Sequence, residues 1–235
     1  MTITLTPQEA SARLLSFLHD GRLIQGAWHK ESGGRELACM IGALDPSINS
    51  AEQCPSSVMP QWLAHCTVEL FDRQTKTDAM AWAERYGGLM ARWHVLTLDA
   101  WARAEICFKL ECVRFAISAA EPACKDKDYW PQVTSAAQQV CDALEGRGDL
   151  AAAGAAARDA ARDAARAAGA AADAAMITAR AAARAAGAAD GATDASRAAG
   201  AAAWAAADAA RAAGVIASKL LDAIEREVSA AEDMA

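Results

Sequence analysis

The sequence predicts a mainly α fold: a globular helical N-terminal domain over residues 1–148, and a long Ala-rich helical hairpin or bundle over residues 149–235. Three observations predict it. Residues 1–148 have the mixed composition of a packed core and hold six of the seven tryptophans. Apolar residues in that part recur at helical spacing behind residues that cap helices. From Ala151 to Gly214, 39 of 64 residues are alanine, the residue that costs least in a helix interior.

Taken in order, the first helix begins at Thr6-Pro7, an N-cap followed by proline at the first helical position, and presents Leu14, Leu15, Phe17 and Leu18 on an apolar face. The glycine-punctuated stretch 19–36, "HDGRLIQGAWHKESGGRE", reads as a turn or short hairpin. Pro46, Pro55 and Pro60 bracket a non-helical loop, after which Trp62, Leu63, Cys66 and Leu70 mark a helix from Gln61 to Phe71. Asp78 is expected to cap the next helix, which carries Met80, Trp82, Ala83 and Tyr86 and is kinked or ended by Gly87-Gly88. In "TLDAWARAEICFKLECVRFAISAAEP", Thr97 or Asp99 caps and Pro122 stops a helix apolar on most sides, read as the centre of the core. A further helix from about Thr134 to Glu145 should stop at "EGRGD", with Asp149 capping its successor.

The alanine tract carries a rule. When each residue number is divided by seven, all thirteen charges between 151 and 214 leave remainders 1, 2, 4 or 5, and none leaves 0, 3 or 6. A strict seven-residue repeat keeps one charge-free face aligned and implies left-handed, close helix packing, because a straight helix would drift about 20° per heptad. The register continues with larger residues at Ile216, Leu220 and Ile224, which should anchor the packing. The charge-free face could be covered by a hairpin within the chain or by a second copy in a homodimer.

Formal charge is −7, and the Arg/Asp face of the tract has a single tryptophan, Trp204, so there is no basic, aromatic-interleaved footprint for direct nucleic-acid contact. No long charge-free apolar run and no basic signal-peptide start is present, from which a cytoplasmic protein without membrane contact is expected. The seven cysteines form no CxxC pair and read as reduced, buried thiols. His65-Cys66 with Cys54 and His29 match no common zinc spacing. His94 beside Glu84 or Asp99 would be a general base without a declared nucleophile, and "SGGRE" lacks the lysine of a phosphate loop. No catalytic residue, metal or cofactor is therefore expected.

The runs "GRELACMIGALDPSINSAEQCPSSVMPQWLA" (34–64) and "RYGGLMARWHVLTLDAW" (85–101), followed by an Ala-rich tail ending "LLDAIEREV" (220–228), resemble a family of uncharacterised proteins of tailed bacteriophages and prophages. The tail is also similar to that of α-helical bacterial immunity proteins. The phage resemblance implies an accessory protein that binds and inhibits a host protein in the host cytoplasm, such as a CRISPR or other antiviral defence component. Immunity-type or structural assembly roles without a host target are the alternative, and an enzyme is a third reading. Residues singled out for partner contact are Arg92, Trp93, His94, Trp62 and Trp204.

Overall fold

The computed structural model describes residues 4–167 and 209–234, and over these the fold is mainly helical with one two-stranded sheet. Trp204, the tract from 168 to 208 and the hairpin-or-bundle expectation for it lie outside the described residues. The chain divides into two compact units, 1–104 with 217–235, and 105–216. The composition boundary at Gly148-Asp149 lies inside the second of these.

In the first unit, α1 (Pro7–His19) opens with a complete capping box. Thr6 Oγ1 accepts from the Glu9 amide at 3.2 Å, and the Glu9 carboxylate accepts from the Thr6 amide at 2.8 Å. The glycine-punctuated stretch does form a hairpin, β1 (His29–Ser32) and β2 (Arg35–Ala38), antiparallel with Ser32 opposite Arg35. Gly33 and Gly34, at φ 59° and 73°, supply the two positive dihedrals that a tight two-residue turn between right-twisted strands demands. A short 3₁₀ turn at Gly42–Leu44 precedes the proline-bracketed loop, a second at Ala51–Gln53 lies within it, and α2 (Gln61–Arg73) starts directly after Pro60.

The expected cap and break of α3 (Lys76–Met90) both need correcting. Thr75, in extended conformation, is the N-cap, and Asp78 is the third helical residue whose amide donates to Thr75 Oγ1 at 3.2 Å. Gly87-Gly88 does not end the helix, which runs on to Met90. At Gly87 α1 lies against the helix: a Cβ there would lie 2.7 Å from Leu15 Cδ2, and Ser11 Oγ donates to the Gly87 carbonyl at 2.7 Å. The absent side chain lets two helices touch.

Helix α4 (Leu98–Cys124) is capped by Thr97, whose Oγ1 accepts from Ala100 N at 3.2 Å, and it passes through Pro122 to end at Cys124. Pro122 has no N–H to give to the helix, but the residues after it still reach back, as Lys125 N does to Glu121 O at 2.9 Å. Its apolar residues are not buried alike: Phe108 is fully buried, Phe115 is half-buried and Ile106 is 39% exposed.

In the second unit, α5 (Trp130–Leu144) starts a turn earlier than its sequence pattern suggests, with Pro131 in its first turn. Gly146 at φ 79° reverses the chain, and Asp149 Oδ1 caps α6 (Leu150–Ala167) by accepting from Ala151 N and Ala152 N at 2.8 and 3.2 Å. The heptad rule is visible in burial. Ala153, Gly154, Ala157 and Ala160, with remainders 6, 0, 3 and 6, are the buried residues of α6 between 150 and 160, and Arg158 and Asp159 are exposed. The three alanines share a core cluster with Val133, Ala137 and Val140 of α5, so over this span the alanine face is covered within the chain. In α7 (Ala209–Asp233), Ala213, Ile216, Ala217, Leu220, Ala223 and Ile224 continue the three classes, and all are buried.

Candidate functional site

The residues from 217 onward complete the first unit. Leu220, Leu221, Ile224 and Val228 are fully buried, and Trp82 of α3 donates its indole N–H to the Ala217 carbonyl at 2.9 Å. Three arginines hold the outer side of the helix: Arg85 reaches Asp222 and Glu225 at 2.7 and 2.6 Å, Arg92 grips Glu232, and Arg103 meets Glu227 at 2.7 Å. The hydrogen bonds from Arg92 hold the Glu232 carboxyl below the ordinary glutamate range.

This arrangement accounts for three of the residues singled out in the sequence. Arg92 is committed to Glu232 by two hydrogen bonds, at 2.9 and 2.5 Å. Trp93 and Trp62, 2% and 5% exposed, lie in the core instead of on the surface. They belong to a run of edge-to-face and tilted rings, Trp82–Tyr86–Trp93–Trp101–Trp62, with successive centroids 5.1, 5.1, 5.3 and 6.4 Å apart. Burial pushes the Tyr86 phenol far above its ordinary range, and its hydroxyl shares a hydrogen bond with Thr67 Oγ1 at 2.7 Å. His94 is exposed, with Nδ1 donating to the Ala91 carbonyl at 3.1 Å.

The other histidines are brought to glutamates or carbonyls, not to one another. His19 meets Glu84 at 2.9 Å, His65 meets Glu52 at 3.4 Å, and His29 Nε2 donates to the Ile48 carbonyl at 2.8 Å. Cys54 is a buried thiol pushed up to about 12 by desolvation, far from a reactive thiolate. Among the described residues no group of three His, Cys, Asp or Glu side chains could hold a metal ion.

What sequence reasoning missed is a pair of adjoining surface recesses in the first unit, of about 390 and 560 Å³. The first is largely apolar, formed by the outward residues of α1 and the Gly42–Pro46 segment. Phe17 and Leu44 line it, and the Arg22 guanidinium stacks on the Phe17 ring 3.8 Å from its centroid. Arg13 ties its two walls together by donating to the Leu44 carbonyl at 2.7 Å. The second recess lies against the hairpin and is bordered by His29, Glu31 and Glu36. Glu36 and Pro46 border both.

Gly42 makes this proximity possible, because a Cβ there would meet the Trp28 carbonyl at 2.4 Å. The hairpin stands nearly free of the core: of its eight residues only Ala38 is buried. The arrangement offers an apolar cleft beside a carboxylate-bearing strand pair, on a scaffold fixed by packed helices. No family model, curated protein or solved structure matches the chain. Among the described residues no helix is long and apolar enough to cross a membrane.

Proposed function

We propose that this chain is an interaction protein of phage origin that binds a host protein and blocks it, the expected target being a component of antiviral defence such as a CRISPR nuclease complex. The observation that carries the reading is the pair of open recesses beside a projecting hairpin. Binding energy concentrates where an apolar side chain can enter a preformed concavity rimmed by polar groups. A rigid helical body presents that concavity without ordering cost, since the recess walls are tied by Arg13 and by close packing at Gly42. The net charge of −7 favours encounter with basic surfaces, which nucleic-acid-handling defence proteins carry. The site of action on this reading is the host cytoplasm, and the mode is occupation of a surface without turnover.

The test is affinity purification of the tagged full chain from a susceptible bacterium, followed by reconstitution with whichever purified protein accompanies it. The expected result is a complex of fixed stoichiometry by light scattering in which the partner loses its activity. Recovery of the chain alone, or a partner whose activity is unchanged in the complex, would contradict the proposal.

A further inference from the structure

We propose that the two recesses form one docking trough for an exposed segment of a partner protein in which an apolar side chain lies close to a basic one. This rests on the interaction-protein reading above and names the chemistry of the contact. The apolar end is set by Phe17, Ala43, Leu44 and Pro46, which together offer a concave hydrocarbon surface rather than a polar one.

The basic preference comes from the register of the hairpin. Glu31 stands directly opposite Glu36, and in a two-residue hairpin that closes on Ser32 and Arg35 this is a non-hydrogen-bonded pair. Its side chains leave the same face with Cβ atoms about 4.5–5.5 Å apart, and like charges so placed repel. Both carboxylates border the second recess. Glu36 Oε1 lies 3.2 Å from His29 Nδ1 on the same face, and Glu31 makes no ion pair among the described residues. Lys30 also borders this recess, from the opposite face by strand alternation, so two carboxylates outnumber one ammonium. A guanidinium or ammonium between Glu31 and Glu36 removes the repulsion and makes charge-assisted hydrogen bonds to both.

The two ends belong together because Glu36 and Pro46 are shared walls, so a short extended segment reaches from the Phe17 cleft to the carboxylate pair. A lone small cation would use only half of this surface. An acidic segment would meet Glu31 and Glu36 with like charge, and the two arginines that line the first recess, Arg13 and Arg22, each already face a carboxylate, Asp45 and Asp20.

The experiment is a nuclear magnetic resonance titration of the full chain, isotopically labelled, with three synthetic peptides: acetyl-Leu-Gly-Arg-amide, acetyl-Leu-Gly-Glu-amide and acetyl-Ala-Gly-Arg-amide. The first is expected to give saturating shifts at the amides of Phe17, Glu31, Glu36 and Leu44 at millimolar concentration, and each of the others to bind about tenfold more weakly. The variant Glu31→Gln with Glu36→Gln, on exposed strand positions, is expected to keep or slightly raise the wild-type thermal midpoint, since it removes the repulsion, and to lose the preference for arginine over glutamate. Absence of saturating shifts at these amides, equal response to the Arg and Glu peptides, or an unaltered preference in the double variant would overturn the assignment. A host partner whose complex forms while the peptides fail would sink the trough and leave the proposed function standing; peptide binding without any host partner would do the reverse.

Discussion

Trp82 donates its indole N–H to the main-chain oxygen of Ala217 across 2.9 Å, joining residues 135 positions apart in the chain. Both are buried, so the bond is shielded from solvent competition, whereas the Arg85 pairs with Asp222 and Glu225 are partly exposed, the arginine side chain by 40%. Trp82→Phe is expected to cost about 1–3 kcal/mol, combining a lost buried donor with an under-filled site. Arg85→Ala is expected to cost about 1 kcal/mol or less, and still less in high salt. Denaturant titrations of both variants at low and high ionic strength check this; a larger, salt-sensitive loss for Arg85→Ala would reverse the ranking.

Gly87 and Gly88 are neighbours in one helix with opposite expected responses to alanine. At Gly87 the new methyl meets Leu15 at 2.7–2.8 Å, and overpacking costs about 1–3 kcal/mol, more than the helix-propensity gain returns. At exposed Gly88 nothing lies within 4 Å, so Gly88→Ala should stabilise by up to about 1 kcal/mol. Thermal unfolding of the two variants is the measurement, and equal shifts would show that α1 does not press on α3 at Gly87.

Much of this was legible locally. Thr6, Pro7 and Glu9 announce a capped helix because every partner lies within three residues, and Gly33-Gly34 announces a tight hairpin because few other residues tolerate both dihedrals. The burial of Ala153, Ala157 and Ala160 followed from charge placement alone. The rest depends on contacts distant in sequence. Nothing around Trp93 marks it as a core residue, and the apolar spacing that Trp62 shares with Leu63, Cys66 and Leu70 suits a partner-binding face as well as a buried one, because a tryptophan serves an interface and an aromatic cluster equally well. Asp78 reads as a cap until the extended backbone of Thr75 is known. The recesses depend on Gly42 passing under Trp28, which no periodicity records.

Glu9 makes a pH-dependent contribution whose sign is fixed by its capping role. Hydrogen bonds from the Thr6 backbone and side chain hold its carboxyl below the ordinary value of 4.5. A depressed folded-state value means that the stabilisation is present above the ordinary glutamate range and is lost as pH falls through the depressed one. Glu9→Gln keeps an acceptor for Thr6 but removes the charge. The wild type should therefore be the more stable at pH 7, with the difference closing below about pH 4.5. Thermal midpoints of both proteins between neutral and acid pH check it; a gap that widens on acidification would contradict the capping account.

The central claim is that the charges of the alanine tract are placed so that one face can be buried, and two alanines in the same turn of α6 test it most directly. Ala157 is fully buried against α5, while Ala155, two residues earlier, is exposed. The measurement is the chemical-denaturation midpoint of Ala157→Glu beside that of Ala155→Glu. The expected result is a loss of several kcal/mol at 157, where a carboxylate would be forced unpaired between helices, and a change within about 0.5 kcal/mol at 155. Equal effects at the two positions would mean that the seven-residue rule does not govern packing.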